Sequence, residues 1–263
     1  MRLLSLIIVV GLLAGGSATF TPPARTVAEV AALVGDYLAA HPNVTRTVRS
    51  GQASVILVSD GTRSDLSADL GEGLSGRLIK TEDAAYFQMP LGEEVEAGKL
   101  FDKVTDYYES YNLAAIGMVM LLGSALVDGH RTEELIVESG RLTSATVDGG
   151  LARYTVAIDV ARAVERLDLP AYVARRSYPP LTLEQEDEDR KIRAGDRDAQ
   201  ARFRRDLVQE LGRSAVYELW VDRAGRPVRS VLAAKTRTER TFSRWGTSLV
   251  KAPPASQTRM HGP

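Results

Sequence analysis

The chain has 263 residues, 44% of them hydrophobic, which is enough to bury one large core or two small ones. Its 33 basic and 34 acidic residues nearly cancel, so it has no overall positive field of the kind that binds nucleic acid. The sequence contains no cysteine, which excludes disulfides, thiolate metal ligands and a thiol nucleophile. We therefore expect a fold that is held together by packing and binds no nucleic acid.

The N-terminus has the segment order of a bacterial signal peptide. Arg2 is followed by a mainly apolar run over residues 3–13 and then by small residues. That run is too short to span about 30 Å of hydrocarbon. Gly16 stands where a bacterial lipobox has its lipid-carrying cysteine, so no thioether-linked lipid can form. We predict a signal peptide over 1–18, a linker over 19–25, and an exported protein that is released or is held at the membrane by an uncut signal.

The first helix is predicted over 26–41. Thr26 and Glu29 have the spacing of a capping box, in which the two side chains satisfy free amides of the first turn. Apolar residues then recur at helical spacing, and Pro42 cannot continue the hydrogen-bond ladder.

Antiparallel strands are predicted from residue 44 to residue 90. Short apolar or alternating runs are separated by turn residues, and the run over 54–59 is the clearest strand. Residues 71–76 match the dinucleotide-binding fingerprint, but that fingerprint requires a preceding strand and a following helix. Here the glycines lead into the strand pattern of residues 77–80, so we predict a hairpin turn instead.

Residues 112–127 carry no charge and are apolar around the whole circumference of a helix. The segment is too short to cross a bilayer. Two interpretations remain open: a helix of the protein core, or a helix that lines an apolar cavity, where unbranched methionines adapt to a flexible ligand.

The C-terminal half alternates between hairpins and charged helices. Hairpins are predicted for 142–146 with 152–160 and for 215–222 with 227–232, and a strand is predicted over 235–242. About residues 180–212, acidic residues precede basic ones by four positions, the favourable spacing on a solvated helix. A loose tail is predicted over 252–263.

The sequence offers no catalytic constellation. The chain has three histidines, and neither a triad nor a zinc site can be assembled from their spacing. Its carboxylates are concentrated in the charged helices, where we expect them to be solvated and not perturbed in acidity. We expect no enzymatic activity, no cofactor and no metal.

Three segments resemble the actinobacterial LolA-like lipoproteins of the LppX/LprG group. They are residues 153–160, residues 217–229 and residues 241–254, and they occur in the family's order and spacing. In outline the resemblance covers 26–255. The chain departs from the family at the missing lipobox cysteine and in its longer charged insertion.

The resemblance implies an α+β fold over 26–251: a curved antiparallel sheet, or half-open barrel, with helices packed on its concave face. It implies a monomer in the cell envelope that binds an acylated lipid or lipoglycan in a hydrophobic cavity, as carrier or receptor, and contacts a membrane or an envelope protein. The alternative function on the same fold is a periplasmic sensor or interaction module that regulates a signalling partner.

Cavity-lining positions follow from alternation on the strands, which separates two faces without indicating which one is inside. The positions predicted to line the cavity are Val55, Leu57, Leu78, Tyr86, Tyr154, Val156, Ile158, Tyr217, Leu219 and Val231 on strands, and Ile116, Met120 and Leu121 on the uncharged helix.

Overall fold

The computed structural model describes residues 21–73, 75–88, 99–104, 132–175 and 183–260, which form one twelve-stranded sheet with helices. The strands are β1 Asn43–Ser50, β2 Ala53–Asp60, β3 Ser64–Asp69, β4 Ser75–Lys80, β5 Ala85–Gln88, β6 Phe101–Val104, β7 Gly140–Asp148, β8 Leu151–Asp159, β9 Ser214–Val221, β10 Pro227–Ala233, β11 Arg237–Ser243 and β12 Thr258–Met260. The helices are α1 Val27–Ala40, α2 Thr132–Ser139, α3 Val160–Arg166, α4 Leu169–Ala174, α5 Leu183–Arg193 and α6 Arg197–Leu211.

The sheet consists of two antiparallel meanders joined side by side. One runs from β1 to β6 and the other from β7 to β11, and β1 pairs with β11 where they meet. The short β12 adds to β6 in parallel. The sheet is curved and unclosed, with β12 at one edge and β7 at the other. The predicted α+β class with a curved, mostly antiparallel sheet is confirmed.

Helix α1 begins where the sequence predicts. The Thr26 hydroxyl accepts a hydrogen bond from the Glu29 amide at 3.2 Å, and the Glu29 carboxylate accepts one from the Thr26 amide at 3.0 Å. This reciprocal pair satisfies amides that have no partner within the helix.

Two glycine turns have the backbone that their hairpins require. Gly149 and Gly150 form the two-residue connection of β7 to β8, with φ values of 57° and 82°. That left-handed pair matches the twist of a hairpin, and glycine adopts it without strain. Gly71 and Gly73 also have positive φ, and β4 begins at Ser75. The dinucleotide-like segment is therefore a hairpin turn, as predicted.

Strand β8 distinguishes the two faces of the sheet. Ala152, Tyr154, Val156 and Ile158 are buried, whereas most of the residues between them are half-buried. We call the face that these four side chains share the inner face and the opposite one the outer face. Because directly paired residues on neighbouring strands share a face, the strand register extends this assignment across the whole sheet.

The described helices cover one half of the inner face. Their principal contacts with the sheet are those of α1, α2 and α3 with β7 to β10, while α4, α5 and α6 form a second layer that packs on α3 and on one another. Helices α5 and α6 occupy the predicted charged insertion. The second of them buries the apolar stripe that its pattern predicts, with Ala199, Leu207 and Leu211 in the core, while the burial of Ile192 on α5 was not predicted.

Residues 255–260 are ordered, within the segment 252–263 that the sequence predicts to be loose. Residues 255–257 form a 3-10 turn, and β12 then pairs with β6, with the Leu100 amide donating to the carbonyl of Gln257 at 2.9 Å. Just before it, Val250 is anchored by a 2.9 Å hydrogen bond from its amide to Asp60. The tail is held because it supplies a neighbour to an otherwise unpaired sheet edge.

Candidate functional site

The inner face of β7 to β11 forms the larger apolar cluster, which we call the helix-covered cluster. Val30 and Val34 of α1 and Leu135 and Ile136 of α2 pack in this cluster, which also includes the buried side chains of the strands below. Five predicted cavity positions belong to it and are 0% to 2% exposed: Tyr154, Val156, Ile158, Tyr217 and Leu219. The described helices already occupy the space above these five side chains.

A second apolar cluster lies on the inner face of β1 to β5, and we call it the β1–β5 cluster. Its buried members are Val48, Val55, Leu66, Ala68, Ala85 and Phe87, with Leu57, Leu70 and Leu78 partly buried beside them. Three predicted cavity positions, Val55, Leu57 and Leu78, belong to it. None of the principal contacts between the described helices and the sheet falls on these strands.

The register makes the β1–β5 cluster continuous. Leu57, Leu66, Leu78 and Phe87 are direct neighbours on four successive strands. With neighbouring strands about 4.8 Å apart, this apolar row is about 14 Å long. It is a suitable surface for an extended hydrocarbon chain, since apolar contact along it needs no specific polar partner.

Two predicted cavity positions lie on the outer face and so require correction. Tyr86 pairs with Ile79 and Lys103, and it packs with Phe101 and Val250 under the C-terminal segment. The second position, Val231, pairs with Glu239 on β11 and Glu218 on β9. Neither side chain shares a face with the other eight strand positions. The remaining three predicted positions, Ile116, Met120 and Leu121, lie outside the described residues, as does the uncharged segment 112–127.

A group of polar side chains separates the two apolar clusters. Arg46 of β1 and Arg240 of β11 are both on the inner face, and Arg240 Nη1 lies 4.0 Å from Glu133 Oε1 of α2. Sequence analysis did not single out this group. The signal was present in β1, where Val44, Arg46 and Val48 share one face, so an arginine replaces an apolar residue in an otherwise inward-facing series.

Tyr217 adjoins this polar group from the helix-covered side. Its hydroxyl is fully buried and meets the distance and angle limits of a hydrogen bond with no described residue. Burial raises the pKa of the Tyr217 phenol well above its ordinary value, and the negative charge of Glu133 raises the pKa further, while Arg240 opposes the shift. The phenol is therefore neutral throughout the physiological range.

The described surface also has two open grooves. One, of about 450 Å³, is on the outer face of β2 to β5, where Ser54, Ser67 and Gln88 line it beside Arg77. The Arg77 guanidinium donates two hydrogen bonds to Asp65, at 2.6 and 2.8 Å. The other, of about 420 Å³, lies between α3 and α6. Both grooves are open to solvent, and Ala68 of the β1–β5 cluster lines the first while Val164 of the helix-covered cluster lines the second.

The described residues contain no group of three or more histidine or acidic side chains arranged to hold a metal ion. None of the described helices is long and apolar enough to cross a membrane. The described part of the inner face is an apolar surface with a polar border.

Comparison with known proteins finds matches among solved structures. No protein-family model matches the sequence, and no curated protein matches it. One of the matching solved structures is that of the lipoprotein LppX of Mycobacterium tuberculosis. The match covers 85% of this chain and 96% of LppX, at 9% sequence identity and a TM-score of 0.38. At that level of identity, no activity or ligand is transferred to this chain.

Proposed function

We propose that this chain is an exported protein of the extracytoplasmic cell envelope that binds the acyl chains of a lipid or lipoglycan, as carrier or receptor, and catalyses no reaction. The observation that carries the proposal is the continuous apolar row across β2 to β5. The row is as apolar as the core beneath α1 and α2, yet the principal contacts of the described helices are with β7 to β10.

The energetics of an acyl chain support such a surface. Burying one methylene group stabilises a complex by about 0.8 kcal/mol, so a 16-carbon chain exposed to water costs on the order of 12 kcal/mol. A protein that carries or senses such a chain in the aqueous envelope must shield it from water. A half-buried leucine such as Leu57 or Leu78, at the border of a buried cluster, can add contact area when a ligand arrives.

Export is supported by the sequence of residues 1–18 alone, with its basic, apolar and small segments in signal-peptide order. Expression in the native host followed by intact-mass measurement tests this part of the proposal. We expect a mature chain that lacks the first 18 residues or, if the signal is uncut, a full chain in the membrane fraction. Full-length chain in the cytoplasmic fraction would contradict export.

The binding test uses two variants of one strand. Leu57 and Ile56 are adjacent on β2, but Leu57 faces inward and Ile56 is 43% exposed on the outer face. We expect the wild-type chain to take up a fluorescent fatty acid and to carry lipid detectable by native mass spectrometry. Leu57→Gln should reduce uptake at least about tenfold, since it places an amide in the apolar row. Ile56→Gln should leave uptake unchanged.

A second variant of Leu57 distinguishes a blocked binding site from a misfolded protein. Leu57→Trp keeps the position apolar but fills space above the row, so it should block uptake while near-native circular dichroism is retained. Lipid binding is refuted if the wild-type chain carries no lipid and takes up no fatty acid. The proposed site is refuted if the Ile56 and Leu57 variants behave alike.

A further inference from the structure

Strand β7 forms a free-standing edge of the sheet among the described residues. It pairs with β8 on one side, and no described strand pairs with its other side. Residues 145–148 are all exposed, and Val147 is among the most exposed large apolar side chains, at 46%. An edge of this kind presents a row of backbone donors and acceptors that can pair with another strand.

The composition of β7 does not block such pairing. Proteins commonly protect an edge strand with lysine or proline, and β7 contains neither. Its charged residues are Arg141 near one end and Asp148 at the other, and the residues between them are uncharged and small to medium in size. The charges therefore stand at the two ends and leave the middle of the edge accessible.

A bulge in β7 determines which residues share a face. The register shifts between Leu142 and Ser144, where Thr143 is the extra residue. After the shift Leu142, Ala145 and Val147 are on the inner face, because they pair with Val156, Tyr154 and Ala152. On the outer face are Arg141, Ser144, Thr146 and Asp148.

These positions make β7 complementary to itself. We infer that β7 pairs antiparallel with β7 of a second copy of this chain, about a two-fold axis that passes at Ala145 and runs normal to the sheet. Every pair then joins residues of one face: Arg141 with Asp148, Leu142 with Val147, and Ser144 with Thr146. An unbulged strand would bring Arg141 and Asp148 to opposite faces, so the bulge is what permits the symmetric pairing.

The pairs are of the kinds that stabilise neighbouring strands. The Arg141 and Asp148 pairs join opposite charges, the Leu142 and Val147 pairs are apolar, and the hydroxyls of Ser144 and Thr146 can hydrogen-bond. Symmetry doubles each contribution. The dimer would join two twelve-stranded sheets into one, with the helices of both copies on the same side. This inference is independent of lipid binding and replaces the monomer expected from the sequence.

Charge reversal tests the pairing because the two charges meet only between copies. We expect the full chain to show a monomer–dimer equilibrium by sedimentation over about 1 µM to 1 mM. Arg141→Glu opposes two acidic groups at each end of the interface, and Asp148→Arg opposes two basic ones. Each variant alone should dimerise at least about tenfold more weakly than the wild-type chain.

Mixing the two variants gives the decisive measurement. In a mixed dimer one end joins the substituted acid of one copy to the substituted base of the other, and the opposite end keeps the native pair. The mixture should therefore dimerise nearly as well as the wild-type chain, a result that misfolding cannot produce. Arg197→Glu, at an exposed position of α6, is the matched control and should change nothing. A wild-type chain that stays monomeric to 1 mM, or a mixture as weak as its components, would overturn the inference.

Discussion

The two halves of the sheet have inner faces of the same apolar character but different surroundings. Beneath α1, α2 and α3, the strands from β7 to β10 contribute to the helix-covered cluster, in which Tyr154 and Leu219 are completely buried. The strands from β1 to β5 carry a continuous apolar row that is separate from those helices. Strand pattern alone therefore does not distinguish a core from a binding surface, because the two differ only in what packs on the face.

A pair of leucine truncations tests this difference most strongly. Leu219 is 0% exposed in the helix-covered cluster and Leu66 is 4% exposed in the β1–β5 cluster. We expect Leu219→Ala to lower the free energy of unfolding by about 2–5 kcal/mol, since helices hold the cavity open. Leu66→Ala should cost less, about 2 kcal/mol or below, and should also weaken fatty-acid uptake. Urea unfolding and uptake assays measure both.

Equal losses of stability with no change in uptake would contradict a binding role for the β1–β5 cluster, because both leucines would then be ordinary core residues. Denaturation slopes should remain equal in the two variants. A changed slope would indicate altered denatured-state compactness instead of a lost contact.

Unfolding at alkaline pH tests whether the helix-covered cluster excludes water from the Tyr217 phenol. Burial raises the pKa of Tyr217 above its ordinary value of 10.0, so above pH 10 the unfolded chain releases a proton that the folded chain retains. Stability from this group is fully present below pH 10 and falls above it, by up to about 1.4 kcal/mol per pH unit. Tyr217→Phe should remove that part of the alkaline loss. Parallel unfolding curves for wild type and variant between pH 9 and 12 would contradict it.

The smallest expected effect concerns Tyr154, another buried phenol of the helix-covered cluster. Its hydroxyl accepts a hydrogen bond from the Ala24 amide at 2.9 Å and so ties the segment before α1 to β8. Tyr154→Phe removes that bond and should cost about 1 kcal/mol, whereas Tyr217→Phe at neutral pH should cost nothing or stabilise the fold. Thermal unfolding of the two variants side by side provides the measurement, and equal shifts would show that the two hydroxyls are equivalent.

Much of the fold could be predicted from local pattern. The capping box of α1, the glycine turn of β7 to β8 and the strand after residues 71–76 all follow from interactions within a few residues. Eight of the ten predicted cavity positions on strands share the inner face, because alternation is enforced by the backbone itself.

The two misplaced positions show where local pattern fails. Ala85, Tyr86 and Phe87 are all buried, and a run without polar residues cannot reveal which of its side chains face inward. Before Val231, an irregularity between Pro227 and Arg229 shifts the register of β10 against β9. A bulge changes which side chains face inward, and the apolar pattern of the sequence does not reveal it.

Local pattern is sufficient to predict the secondary-structure elements, the order of the hairpins and the separation of side chains into two faces, because these depend on backbone periodicity and turn chemistry. Long-range packing determines which face is inward, which half of the sheet the described helices cover, and that the C-terminal segment pairs with β6. Those outcomes depend on contacts between residues more than 100 positions apart, such as Val250 with Asp60 or Arg240 with Glu133. No local pattern contains such contacts.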